Sequence, residues 1–325
     1  MSLPLSDMYG RAFEFCVATF IFSKLEDLYP HKVRMTGRAK EAQDRGHQQF
    51  DELTSEEKTG FEKSGSAIAE WLAENKFRDV EEVVFEKPAA AISDYVAGKT
   101  SSKGIVKVTL DRVPDFAGVE GDVTDIRIEF SSSQGVHKVN VSLKHRHEAL
   151  KHPRLTRVPV WIGMVDSRKT REYELAYEKA WSTFFEKGKA LSPSATKFRE
   201  LKAIKSTFIE DNLYKPLYTL VQEFLQNNIA NTSQVQQLFE FLVGKYDFVK
   251  FVDHDGKIEV RDFSAIPKPR SVKIEYDGRG YLYLQFDNGW RLAGRLHTAT
   301  EWLKKSIKFD VQPVNLDSVI PAVCI

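Results

Sequence analysis

Apolar and polar residues alternate along two short stretches near the middle of the chain. Ile126, Ile128 and Phe130 alternate with Asp125, Arg127 and Glu129, and Val139, Val141 and Leu143 alternate with Asn140, Ser142 and Lys144. A period of two predicts strands with one apolar face each. Ser131-Ser-Ser-Gln-Gly135 between them is turn chemistry, so the pair reads as a hairpin. Residues 9 to 28 carry a helical pattern, apolar almost all round from Ala12 to Phe22, which predicts a buried helix. Residues 39 to 76 read as two helices joined near Asp51, and Thr54-Ser-Glu-Glu57 has capping-box spacing. Gly104 to Leu110 alternates like a strand, with a loop over 113–118 leading into the hairpin.

Beyond the hairpin, Val158 to Met164 reads as a short apolar strand. Residues 169–187 and 196–228 read as amphipathic helices joined by the linker Ser192-Pro-Ser-Ala-Thr196, and Val235, Leu238, Phe239 and Leu242 mark another helix face. From residue 247 the pattern turns to β. Segments 247–252 and 257–263 flank Asp255-Gly256, and 281–286 and 291–297 flank Asn288-Gly289, a strong hairpin signal. The whole predicts an α/β fold: a mixed sheet around the central hairpin, flanked by helices, then a C-terminal helical and β-hairpin region. The expected division is 1–190 and 191–325, within what is either two parts or one continuous domain.

Composition narrows the class. With 325 residues, 42% hydrophobic and 29% charged, the chain has the profile of a globular protein with a sizeable core. No apolar run approaches the ~20 residues of a membrane span, and the start lacks a secretory signal pattern. Two cysteines, Cys16 and Cys324, make neither a disulfide framework nor a zinc cluster, so a cytoplasmic protein is expected. Net charge is only +1, yet His137 to Arg157 holds six Lys or Arg and four His against one acid, Glu148. Such a concentration suits a polyanionic substrate; the plainer reading is a solvated basic face.

Candidate chemistry sits beside that patch. The hairpin brings Asp125, at the head of one strand, near Lys144, at the tail of the other. A carboxylate and a lysine at a sheet edge suit a divalent metal and a positioned water for phosphodiester cleavage. Glu14 is the lone acid in the apolar helix and needs a partner, either Arg11 one turn earlier or the metal site. His145, Arg146, His147, Lys151, His152 and Arg154 are candidate DNA contacts. So are Arg291, Arg295 and His297, which share one strand face of a ribbon that fits a major groove. Two rival readings are a zinc hydrolase built on His145, His147 and His152 and a DNA-binding protein without catalysis; dependence of binding on metal separates the last from a nuclease.

Several stretches together resemble the HaeIII-type restriction endonucleases, a family with a PD-(D/E)XK nuclease core. They are Gly10-Arg-Ala-Phe-Glu14, Glu120-Gly-Asp-Val-Thr-Asp125, Ser142-Leu-Lys-His-Arg-His147 with Ala149-Leu-Lys-His-Pro-Arg-Leu155, Asp287-Asn-Gly-Trp290, Arg295-Leu-His297 and Ser306-Ile-Lys-Phe-Asp310. The resemblance implies a PD-(D/E)XK-like core over residues 1–190. It also implies a Mg²⁺-dependent enzyme that cuts double-stranded DNA at a short palindrome, GGCC, as a homodimer. Asp125 would be the metal-binding carboxylate and Lys144 the lysine that positions the attacking water. One departure stands out: Ser142 occupies the place of the usual second carboxylate, so Glu14 or Asp122 must supply the missing acid. Ser306-Ile-Lys308 with Asp287 is a decoy of similar spacing, without a basic patch after it.

Overall fold

The computed structural model describes residues 5–36, 85–99, 104–113, 121–145, 150–254 and 256–325. The two helices expected over 39–76 and most of the loop expected over 113–118 lie outside the described residues. The chain divides into two compact units that alternate along the sequence. The first is Met1–Glu148, Tyr246–Ile266 and Ile320–Ile325, and the second is Ala149–Lys245 with Pro267–Val319. This differs from the single boundary expected at residue 190.

The first unit contains helix α1 (Leu5–Leu28), strand β1 (Val33–Thr36), helix α2 (Glu86–Gly98), and strands β2 (Ile105–Arg112), β3 (Ile126–Ser132) and β4 (Gly135–His145). The chain re-enters it as β5 (Val249–His254) and β6 (Lys257–Asp262). These strands form a mixed seven-stranded sheet in the order β1-β2-β3-β4-β5-β6-β11, where β11 is Val323–Cys324. The expected α/β mixed sheet is therefore present. The β5–β6 hairpin was legible as a hairpin, but it belongs beside β4, which it joins in parallel with Val141 opposite Val249. A parallel pairing across that sequence distance leaves no mark in local patterning.

The strand faces follow the alternation. Ile126, Ile128, Val141 and Leu143 turn to one side and join Phe251 and Ile258 in a core under α1 and α2, whose Phe13, Val17, Ile21, Leu25, Ala89, Ile92 and Val96 are buried there. A nearly all-apolar α1 is explained by this packing. The opposite face carries buried polar groups, including Asn140, Ser142, Lys250 and Arg261. There Arg127 donates to Asn140 at 2.9 Å, and Asn140 donates to the Asp247 carbonyl at 2.8 Å. Buried polar groups need such partners. The central turn is tighter than expected, because Ser132 and Gly135 already pair across it.

The second unit holds a four-stranded antiparallel sheet in the order β10-β9-β8-β7: β7 is Val272–Tyr276, β8 Leu282–Phe286, β9 Arg291–Thr298 and β10 Ile307–Pro313. Its helices are α3 (Val158–Trp161), α4 (Arg168–Leu191), α5 (Phe198–Ile204), α6 (Lys215–Asn228), α7 (Thr232–Val243) and α8 (Leu316–Val319). Two expectations are corrected. Val158 to Met164 is not a strand: a 3-10 turn at Leu155–Arg157 runs into α3, with Pro159 in its first turn, where a missing N–H costs nothing. The long helix over 196–228 is interrupted between Ile204 and Glu210, and Pro216 opens α6. Gly294 on β9 is required by its neighbour, since a Cβ there would fall 1.7 Å from the Phe309 ring of β10.

Candidate functional site

Asp125 lies immediately before β3 and is fixed by its backbone at both ends. Its N–H donates to the Val141 carbonyl at 2.8 Å, and its carbonyl accepts from Val113 N–H at 2.9 Å. The carboxylate then crosses to β4. Oδ2 accepts the Leu143 backbone N–H at 2.6 Å and the Ser142 hydroxyl at 3.2 Å, and lies 3.6 Å from the Lys144 ammonium. Ser142, in the position of the absent second carboxylate, thus serves as a donor that orients Asp125. All three groups address Oδ2; among the described residues, Oδ1 receives no hydrogen bond.

Glu14 projects from α1, and its partner is Arg112 at the end of β2. The Arg112 Nε and one terminal nitrogen meet Oε2 at 2.7 and 2.6 Å. The alternative partner, Arg11, has its side chain outside the described residues. Burial pushes the Glu14 pKa above the ordinary carboxylate range; Arg112 opposes that, the Asp125 charge adds to it, and Lys144 opposes it. The influence of both Asp125 and Lys144 places Glu14 within electrostatic reach of the pair. Its Oε1, like Asp125 Oδ1, accepts no hydrogen bond from the described residues. Asp122 is committed elsewhere: Oδ1 accepts Thr124 N–H at 3.0 Å and Oδ2 pairs with Arg127 at 2.7 Å. Both its oxygens are engaged, so it is a poorer candidate ligand than Glu14.

No cluster of three or more His, Cys, Asp or Glu suited to a metal occurs among the described residues. Magnesium-type sites need less than that, because the ion keeps several waters and takes one or two carboxylates plus substrate phosphate oxygens. Asp125 and Glu14, each with one oxygen lacking a donor, fit such a requirement.

The candidate DNA contacts separate. Arg146, His147 and the His145 side chain lie outside the described residues. Lys151 is turned inward: its ammonium donates to the Phe241 carbonyl at 3.0 Å and lies 3.7 Å from that ring's centroid, which points to a structural role. The remaining residues meet in the second unit. Segment 150–154 runs antiparallel along β10, through bridges of Lys151 with Val311 and of Arg154 with Lys308. Lys308 stands opposite His297, and Asp310 opposite Arg295. Arg154 donates to the Ser306 hydroxyl. His152 and Arg154 therefore share a region with Arg295, His297 and Lys308, although the sequence separates them by some 140 residues. Arg291, at the other end of β9, stacks its guanidinium over Tyr283 at 4.6 Å and lines a small cavity with Lys273, Glu275, Asp277 and Gln285.

The decoy pair is not assembled. Asp287 accepts the Arg270 N–H at 2.8 Å in the turn preceding β9, whereas Lys308 pairs with His297 at the far end of that strand. Of the histidine trio, His147 and the His145 side chain lie outside the described residues.

A mixed sheet flanked by helices, with Asp125 and Lys144 meeting across two hairpin strands, makes this an α/β protein. The chain belongs to the HaeIII restriction endonuclease family, whose model matches residues 10–266. It is 24% identical over 302 residues to the type II restriction enzyme HaeIII of Haemophilus aegyptius, covering 82% of this chain and 90% of that protein. Among solved structures, restriction endonuclease MspI in complex with its cognate DNA aligns over 84% of this chain and 98% of that one. That alignment has 11% identity and a TM-score of 0.28, too low to establish a shared fold.

Proposed function

We propose that this protein is a type II site-specific endodeoxyribonuclease that hydrolyses phosphodiester bonds in double-stranded DNA, with Asp125 and Lys144 at its active centre. The observation carrying this reading is the convergence of Leu143 N–H, the Ser142 hydroxyl and the Lys144 ammonium on one oxygen of Asp125. Membership in the HaeIII family supports the reaction class. Within it, Asp125 and Glu14 would hold the cation, taken to be Mg²⁺. A bound divalent cation would supply Lewis-acid stabilisation of charge developing on the scissile phosphate.

The chain's own groups do the rest. Leu143 and Ser142 lock Asp125 in one orientation, so no side-chain reorganisation is required when substrate arrives. Lys144 presents its ammonium beside Asp125, where it orients an attacking water and offsets negative charge. Arg112 holds Glu14 at Oε2 and opposes the burial that raises its pKa. Arg154, Arg295 and His297, with Arg291 further along β9, are the proposed DNA contacts, and the family resemblance makes GGCC the proposed target. A palindrome cut on both strands is met most simply by a homodimer, which equilibrium sedimentation with and without DNA would test.

The direct experiment is a plasmid digest with Mg²⁺ beside one with EDTA, followed by sequencing of the fragment ends. Discrete fragments formed only with Mg²⁺ would give target and cut position together. Salt-sensitive binding without cleavage under Mg²⁺ or Mn²⁺ would favour a DNA-binding protein without catalysis.

A further inference from the structure

One carboxylate interrupts the basic face of the second unit. Asp310 of β10 is 7% exposed, between strand partners and imidazoles that are otherwise cationic or neutral. A carboxylate near a surface that binds DNA repels phosphates unless a cation intervenes. Its Oδ2 accepts from the Gln312 amide at 3.2 Å. Its Oδ1 is buried without a hydrogen bond and lies 3.4 Å from Nδ1 of His152. The His152 ring is 37% exposed and packs edge-to-face on His297 at 5.8 Å between centroids. The two ring nitrogens lie on different edges of an imidazole, so with Nδ1 toward Asp310, Nε2 is directed away from the buried carboxylate.

We propose that Asp310 is a positioning residue, which holds the His152 imidazole so that its Nε2–H grips a phosphate of the bound DNA. The inference rests on the DNA-cleaving reading above and assigns one contact within it. His297 braces the ring from the side. Burial lowers the pKa of His297, Asp310 opposes that, and Lys308 and Arg295 reinforce it. Those groups, with Arg154 on the adjoining segment, are the charges that face the imidazole pair. A phosphate contact fixes register without reading sequence.

The test measures binding of the full-length protein to a labelled duplex containing GGCC, and to one of scrambled sequence, in EDTA over a range of salt. Asp310→Asn should weaken binding to both duplexes by about ten-fold and lower the salt slope by about one phosphate contact. His152→Gln should reproduce these effects, with Asp310→Asn adding nothing in its background. His152→Arg, which keeps a donor in place of the imidazole, should retain the parent's salt slope, and it tests the contact even if Asp310→Asn folds poorly. An unchanged salt slope in Asp310→Asn, or additive losses in the double variant, would overturn the proposal. So would a His152→Arg salt slope as low as that of His152→Gln. A parent that binds neither duplex would sink the functional reading, and this contact with it.

Discussion

In the first unit, three acids near the hairpin each meet one cation: Asp125 meets Lys144, Glu14 meets Arg112, and Asp122 meets Arg127. In the second unit, Arg154, Arg295, Lys308 and two histidines lie on the strands and segment around the acid Asp310. The first arrangement is locally neutral and fixes geometry through short hydrogen bonds. The second carries surplus positive charge on partly exposed side chains, which attracts a polyanion and makes its binding salt-dependent. On the proposed function, two different physical jobs fall to the two sheets. Substitutions in the first unit should act on chemistry or folding, and those in the second on affinity.

The largest effect should come from Lys144→Ala. Loss of a charge aimed at the reacting phosphate costs about 10²–10³ in turnover, while DNA affinity should stay within a few-fold of the parent. Cleavage assays beside binding isotherms check both halves. Equal turnover would remove Lys144 from the site, and a matching loss of affinity would erase the division of labour between the units.

Next in size is Arg112→Met. It leaves Glu14 without the guanidinium that meets it at 2.6 and 2.7 Å, and breaking a largely buried pair in this way costs about 3–5 kcal/mol. Urea unfolding should show the loss, and Glu14→Gln in the same background should recover part of it. If the single variant is as stable as the parent, Glu14 is solvated well enough to do without Arg112.

These two residues also mark what was legible in the sequence. Asp125 and Lys144 could be paired because hairpin strands have a two-residue period, and a short turn leaves few registers. Arg112 could not be matched with Glu14, since 98 residues intervene and only packing of α1 on the sheet brings them together. The role of Ser142 was hidden for a similar reason: a serine reads as a missing ligand until Asp125 is seen accepting its hydroxyl. The β9–β10 pairing was missed as well, and it is what unites His152 and Arg154 with Arg295 and His297. Alternation identifies a strand, but it does not say which non-local neighbour the strand will choose.

A smaller effect is expected from Arg295→Ala. Removing one cation from the basic face should weaken binding by about ten-fold and reduce the salt slope by about one, with turnover at saturating DNA preserved. An equal loss on GGCC and scrambled duplexes identifies a phosphate contact, whereas a loss confined to GGCC identifies base reading. A fall in turnover at saturation would instead tie this sheet to the chemistry.

The smallest effect concerns stability against pH at His297. Burial, the largest cause, lowers its pKa in the folded protein below the ordinary histidine value. A histidine shifted down contributes stability that is fully present above its unfolded pKa of about 6.5 and is lost as pH falls through the lower folded value. The parent should therefore lose stability on acidification through this window more steeply than His297→Gln, and the two curves should run parallel above it. Urea midpoints at a series of pH values measure the difference. Parallel curves throughout would mean that the His297 imidazole is solvated enough in the folded protein to take a proton freely.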